Sequence, residues 1–380
     1  MIIPYSKQSI NNKDIEVVKK VLKSDFLTQG KEVQKFELEL KKSFDSKFCT
    51  AVNSATSGLY LACRALDLSS MDIVWTSINT FVSTANVAIH CGAKIEFLDT
   101  NFDGNISIEY LEKKLIKSKK INKLPKAIIV VHFAGLSCDM IKIHQLSKKY
   151  KFKIIEDASH AAGSKYMNSK VGSCKYSDLC VFSFHAIKSI TTGEGGAVLT
   201  NNKNYDERVK LLRSHGINKN KKNFYDKSKT NYDWYYEATD ISFNFRLTDF
   251  QCALGVSQLK RLEKFINKRR LIAKKYINKI KNTKLILPKI YKNNLSSWHL
   301  FVIRSKIKSD RKKLYDYLKK NKVTTVLHYI PLNKHYFYKN KKKEIFKNAQ
   351  IYYDTALSIP IFPDLKNTQI KKIINLLNFF

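Results

Sequence analysis

The feature that most constrains this chain is an alternation: between residues 47 and 200, short and almost wholly apolar runs are separated by segments with helical periodicity. Ala127–Val131 is five consecutive apolar residues, and Lys47–Val52, Ile73-Val74-Trp75, Lys94–Leu98, Lys153–Ile155, Leu179–Phe184 and Ala197–Thr200 repeat the theme. A strand with no polar side has to be buried on both faces, and helical crossovers are what cover it. The segments between the strands supply those helices, at Leu59–Leu66, Phe81–Cys91, Ile108–Ile116 and Ile141–Tyr150. Two amphipathic helices come first, Asp14–Leu22 and Glu32–Phe44, the second with Val33, Phe36, Leu40 and Phe44 along one face. The pattern predicts an α/β domain over residues 1–250, with a mainly parallel sheet between helices.

Past Thr248 a helical pattern runs to about Lys281, long enough to bridge two domains. The tail then reads as strand (Leu300–Arg304), helix (Arg311–Lys320), strand (Val323–Leu327) and helix (Ile370–Leu377), which suits a small α+β domain within residues 251–380. The N-terminal residues are free to pack with that second domain. The Lys-, Asn- and Tyr-rich stretch Ile217–Tyr236 reads as a surface loop or hairpin.

The formal net charge of +37 would ordinarily suggest nucleic acid or an anionic membrane. The lysines, however, are spread along the whole chain among Asn and Ile, as in Lys339-Asn340-Lys341-Lys342-Lys343, so a compositional bias on solvent-facing positions explains them and neither nucleic acid nor membrane is expected as a partner. No run of 18 apolar residues occurs, and the N-terminus lacks the charged and apolar regions of a signal peptide, which predicts a cytoplasmic protein. Seven scattered cysteines with no C-x-x-C pair indicate reduced thiols and no disulfide frame or zinc site. The nine histidines form no H-x-x-x-H, and no metal is expected.

In such a sheet, ligands bind at the carboxyl ends of the strands, and four sequence-distant groups fall there. Ser54-Ala55-Thr56 opens a helix, where free amides and the dipole suit a phosphate, although a hydroxyl there is more often a plain cap. Thr80-Phe81 follows a strand and could offer a ring for stacking, although a Phe more often packs a core. Asp157 follows Ile154-Ile155-Glu156 and could hold a protonated ring nitrogen or merely cap a turn, with Glu156 pointing the other way by alternation. Last, Ser183 and Lys188 stand five residues apart around His185, just before Gly193-Glu194-Gly195-Gly196. A lysine forms Schiff bases once its pKa is drawn toward neutrality. Phosphate cradle, stacking ring, acid and amine together match what pyridoxal 5'-phosphate demands.

Asn53-Ser54-Ala55-Thr56-Ser57-Gly58-Leu59, Glu156-Asp157-Ala158-Ser159-His160-Ala161, Phe182-Ser183-Phe184-His185-Ala186-Ile187-Lys188 and Thr192-Gly193-Glu194-Gly195-Gly196 resemble the signatures of the DegT/DnrJ-type sugar-nucleotide aminotransferases. The resemblance runs from Pro4-Tyr5 to the tail and includes Arg213-Ser214-His215-Gly216 and Phe243-Asn244-Phe245-Arg246-Leu247. It implies fold type I, a large domain with a seven-stranded sheet plus a small one, and transfer of an amino group from L-glutamate to C4 of a UDP-linked 4-keto-6-deoxy-N-acetylhexosamine in the pseudaminic acid pathway. It further implies that Lys188 is the Schiff-base lysine and proton shuttle, that Asp157 partners the pyridine nitrogen and that Phe81 stacks on the ring. Ala55, Thr56 and Ser183 would hold the phosphate, and His160 would lie close to the ring. Asn244 would reach the phosphate of a neighbouring subunit, making the active unit a homodimer. His328-Tyr329 would approach the sugar nucleotide. A 3-dehydratase of the same family carries histidine in place of the lysine, and other members act at C3 or on a non-sugar ketone. Two departures stand out: Ala186 replaces an expected proline, and Ile217–Tyr236 is longer than usual.

Overall fold

In a computed structural model the chain is described over residues 2–339 and 344–380. The central sheet takes its strands from β1 (Phe48–Val52), β2 (Ile73–Ser77), β3 (Lys94–Leu98), β4 (Ala127–Val131) and β5 (Lys153–Asp157). A short hairpin of β6 (Lys165–Tyr166) and β7 (Ser169–Lys170) intervenes before β8 (Leu179–Ser183) and β9 (Gly196–Thr200) complete it. The spatial order is β1-β9-β8-β5-β4-β2-β3, with β9 antiparallel to both of its neighbours and every other pair from β8 to β3 parallel. The seven strands and their mainly parallel pairing are therefore those the apolar runs predicted, and they agree with the seven-stranded sheet the family resemblance implies.

Helices cover both faces. On one, α2 (Lys31–Phe44) buries Val33, Phe36, Leu40 and Phe44, and α8 (Asp249–Leu259) crosses it where Gly255 lies so near the Phe36 ring that an added Cβ would come within 2.6 Å. Removing the fully buried Phe36 side chain would cost about 3–5 kcal/mol. On the other face, α3 (Ala55–Ala65), α4 (Val82–His90) and α7 (Lys203–Arg213) enclose a cluster with Val181, Val198 and Ile155. Helices α1 (Asn12–Leu22), α5 (Ile108–Lys120) and α6 (Met140–Tyr150) complete the large domain.

The long helical pattern after Thr248 is two helices, with α8 ending before α9 (Leu262–Lys279) begins. Arg261, at the break, is drawn to the backbone oxygen of Ser9 at 3.1 Å and to the carboxylate of Asp14, so the long helix is interrupted by an anchor to α1. Even so, α9 reaches two hydrophobic clusters: Phe265 and Ile266 pack in the one that holds Phe36, Ile272 and Tyr276 in the one that holds Phe301. The small domain pairs β12 (Leu285–Ile286), β14 (Phe301–Ser305) and β15 (Ala356–Ile359) in one sheet beside α10 (Lys308–Lys320), α11 (Lys347–Thr355) and α12 (Asn367–Phe379). The strand expected at Val323–Leu327 is not formed; Val323 and Val326 make only isolated bridges, to Ile3 and Ser358. Ile3 packs in the same cluster as Tyr276 and Phe301. In the Ile217–Tyr236 region, β10 (Ile217–Asn218) pairs with β11 (Glu237–Ala238), closing a surface hairpin, and β13 (Asn294–Leu295) adds to β6.

Candidate active site

The sheet register assembles the site. Val52, Gly196 and Ser183 are paired across three adjacent strands, so the ends of β1 and β8 and the start of β9 meet at one point. A Cβ on Gly196 would lie 2.7 Å from the amide nitrogen of Ala55, which leaves the N-terminus of α3 open only because residue 196 is glycine. Ser54 caps that helix by accepting from the Ser57 amide at 3.0 Å, and Thr56 is exposed beside it. Unpaired first-turn amides and a helix dipole attract a phosphate. Ala55, Thr56 and Ser183 are thus gathered around the same glycine.

Two strands away, Asp157 ends β5 and is almost fully buried. Its Oδ2 accepts from the Thr84 hydroxyl at 2.8 Å, and its Oδ1 accepts from the Ser159 hydroxyl at 2.6 Å and the Ser159 amide at 3.2 Å. Because Thr84 spends its hydrogen on Asp157, the Thr80 hydroxyl donates to Thr84 at 2.9 Å, giving a short relay behind the carboxylate. Glu156 turns to the opposite face, as alternation required. There it faces His132 Nε2 at 2.6 Å and accepts from the Ser177 hydroxyl.

Lys188 lies on the turn after β8. Phe182 and Phe184, both fully buried, anchor that turn through rings packed on Phe44 and Phe36. Although Ala186 stands where a proline was expected, the turn is closed by the Lys188 amide donating to the His185 carbonyl at 2.9 Å, and Phe184 and Thr192 exchange a further 2.9 Å bond across the loop. Burial draws the Lys188 ammonium down to about 8, against the opposing pull of Asp157 and Glu194. Among the described residues its amine has no hydrogen bond or ion pair.

The remaining groups form an aromatic wall. Phe81 is the N-cap of α4 and is 55% exposed, which leaves its ring free to take a partner; it sits 6.0 Å from the Tyr329 ring. The Tyr329 hydroxyl meets His160 Nε2 at 3.1 Å, and the two rings stack at 18°. His160 is held well below the usual imidazole range, first by burial and then by the nearby Lys188 ammonium, so it stays neutral. His328, bonded through Nδ1 to the Ser358 hydroxyl at 2.8 Å, is pushed down to about 4 by burial. Asn79, buried after β2, accepts from the Tyr329 amide at 3.0 Å.

The structure therefore brings Lys188, Asp157, His160 and Phe81 into one neighbourhood, with Ala55, Thr56 and Ser183 at the adjoining strand ends. Asn244 is exposed, its backbone oxygen accepting from the Asn53 side chain at 3.3 Å, just before the start of α3. Thr80, Thr84, Ser159 and Asn79 were not identified as site groups from the sequence, apart from Thr80's place beside Phe81. The available signal was their position within a few residues of a strand end.

A glycine-lined cradle, an uncovered ring, a braced buried carboxylate and an unpartnered amine with a depressed pKa fit pyridoxal 5'-phosphate. With this fold, they define a pyridoxal-phosphate-dependent aminotransferase. Residues 8–378 match the DegT/DnrJ/EryC1/StrS aminotransferase family. The chain is 41% identical over 369 residues to the UDP-4-amino-4,6-dideoxy-N-acetyl-beta-L-altrosamine transaminase of Campylobacter jejuni (strain 81-176), covering 96% of this chain and 93% of that one. It is 33% identical over 380 residues to the spore coat polysaccharide biosynthesis protein SpsC of Bacillus subtilis, covering 98% and 95%. Among solved structures, PseC of Helicobacter pylori, an aminotransferase involved in the biosynthesis of pseudoaminic acid, superposes with a TM-score of 0.90 at 34% identity, over 99% of this chain and 98% of that one. The chain belongs to the DegT/DnrJ/EryC1/StrS aminotransferase family.

Proposed function

We propose that this chain moves the amino group of L-glutamate to C4 of a UDP-linked 4-keto-6-deoxy-N-acetylhexosamine, giving UDP-4-amino-4,6-dideoxy-N-acetyl-beta-L-altrosamine for pseudaminic acid biosynthesis. The observation that carries the reading is the pairing of an unpartnered Lys188 amine with a buried Asp157 carboxylate braced by Thr84 and Ser159. The transaminase named in Campylobacter jejuni supports the choice of sugar and of C4.

Pyridoxal 5'-phosphate, alternating with its pyridoxamine form, supplies when bound a conjugated electron sink and a carrier for the amino group. Asp157 would hold the positive charge of the ring nitrogen, and the Thr84 and Ser159 hydroxyls keep that carboxylate from swinging away. Phe81 would support one ring face, and His160, being neutral, adds no competing cation beside it. The amides of Ala55 and Thr56 with the Thr56 and Ser183 hydroxyls would take the phosphate. Lys188 would attach the aldehyde and, once displaced, take the proton from the α-carbon of glutamate. With its pKa near 8, about a tenth of its amine is neutral at pH 7, several hundred times the neutral fraction of an ordinary lysine. Proton transfer by a positioned base of this kind is worth ~10² to 10⁴-fold.

Within the same reading, Asn244 reaches the phosphate in a second copy, so the active unit is a homodimer with sites at the interface. The enzyme works in the cytoplasm, and the chain divides near residue 250. Exposed Phe243 beside Asn244 supports the pairing of copies. Incubation with L-glutamate and a panel of UDP-linked 4-keto and 3-keto hexosamines, followed by identification of the product, tests the function. Amination at C4 of the 4-keto-6-deoxy-N-acetylhexosamine is expected; amination only at C3, or of none of these sugars, would overturn the proposal.

A further inference from the structure

A second cavity, of about 870 Å³, lies where the loop after β3, α9, β14 and the segment 286–298 meet. It is separated from the cofactor site by one side chain. The Phe133 ring stands 6.1 Å from His160 and 6.2 Å from Tyr329 on one side and 5.8 Å from Tyr352 on the other, and Tyr352 lines the cavity. The volume falls within the range of small-molecule sites, roughly 300–1,000 Å³.

Its walls are mostly apolar, with Leu136, Leu287, Trp298, Leu300 and Val302 among them. The charged lining residues are Arg270, Lys274, Lys289, Lys292 and Arg304 against the single acid Asp103. That acid is already engaged, accepting from the Asn105 amide at 3.0 Å and from the Tyr291 hydroxyl at 3.2 Å. Arg270 is spent on the carbonyls of Ser296 and Gly163.

Arg304 is different. It is half-buried, its guanidinium lies 4.9 Å over the Phe102 ring, and among the described residues it makes no hydrogen bond or close ion pair, although the charge of Asp103 in the same cavity acts on it from further off. Tyr352, only 2% exposed, likewise has no hydrogen-bond partner for its hydroxyl among the described residues. A cation and a hydroxyl that line the same cavity without a hydrogen-bond partner are free to take an anion that reaches them there. A guanidinium takes a carboxylate through two parallel hydrogen bonds. The apolar walls would disfavour a compact amino acid such as glutamate, whose ammonium and second carboxylate would find no partner there.

We infer that this cavity binds a small amphipathic organic anion, its carboxylate held by Arg304 and Tyr352 and its hydrocarbon or aromatic body packed on Leu300, Val302 and Trp298. The site stands apart from the cofactor cradle, and the inference does not depend on which sugar the enzyme aminates.

Calorimetric titration of the full-length, cofactor-loaded protein tests it, with octanoate and 3-phenylpropionate as probes and octanol and octylammonium as controls of matched body. Saturable binding of at least one of the two anions at one per chain is expected, with octanol and octylammonium at least about tenfold weaker. Arg304→Gln should weaken the bound anion about tenfold or more and leave octanol unchanged, while Arg304→Lys should restore part of the loss. The near-isosteric Tyr352→Phe should weaken it about threefold, which keeps the test decisive if Arg304→Gln fails to fold. Failure of both anions to saturate, equal binding of octanoate and octanol, or anion affinity unchanged in both Arg304→Gln and Tyr352→Phe would overturn the inference.

Discussion

Glu156 and Asp157 are consecutive on β5, 4% and 5% exposed, and face opposite sides of the sheet. Glu156 is enclosed by partners that are themselves fixed. The Cys138 amide donates to His132 Nδ1 at 3.2 Å, which places the imidazole hydrogen on Nε2, aimed at Glu156 from 2.6 Å, and Ser177 takes the other oxygen. Asp157 is held as firmly, by Thr84 and Ser159, but lies within the electrostatic reach of Lys188 on the side where Phe81 is uncovered. Equal burial therefore accompanies different surroundings: one carboxylate is enclosed by partners of the fold, and the other is the one we propose meets a ligand. What separates them is which neighbours the turn after each strand supplies.

That contrast can be broken at several points. Lys188→Ala should abolish transamination outright, with the fold intact by circular dichroism; residual turnover with glutamate would remove Lys188 from its role. In cofactor-free wild-type protein, where only neutral amine reacts, the rate of cofactor uptake should rise with pH through about 8 and level off above it, and Lys188→Ala should lack this rise. Asp157→Asn should slow the glutamate half-reaction by about 10³-fold and also cost some stability, since its NH2 must face a donor, either the Thr84 hydroxyl or the Ser159 amide and hydroxyl. Glu156→Gln should differ in the rate: it costs about 2 kcal/mol of stability in denaturant titration because a buried bond to His132 or Ser177 is compromised, with the half-reaction rate close to wild type. Thr84→Val, which removes one brace from Asp157, should lower the rate by about tenfold without altering the binding of sugar nucleotide.

Much of this architecture was legible in the sequence because parallel strands buried on both faces leave unbroken apolar runs, and because strand ends are where such sheets bind ligands. Ala127–Val131 and Lys94–Leu98 form strands with the predicted bounds. Asp157 stood out as a carboxylate ending an apolar run, and the opposed direction of Glu156 followed from a period of two. Thr84 and Ser159 were not legible as site groups, since a threonine inside a helix and a serine after an aspartate each have ordinary local uses. The break between α8 and α9 was hidden for a different reason: no glycine or proline marks it, and it is associated with a long-range attachment of Arg261 to Ser9 and Asp14. Val323–Leu327 has strand composition yet lacks a continuous partner, meeting its neighbours only at Ile3 and Ser358. The cavity around Arg304 was equally invisible, because it is made by segments some 200 residues apart.

The central claim is that Lys188 and Asp157 carry an amino group from glutamate, and the visible absorption band of the cofactor-loaded protein reports it most directly. Adding L-glutamate alone should bleach the band with release of one 2-oxoglutarate per chain, and adding the UDP-linked 4-keto sugar should restore it. A band that glutamate leaves unchanged, or one that bleaches equally in Lys188→Ala, would contradict the account.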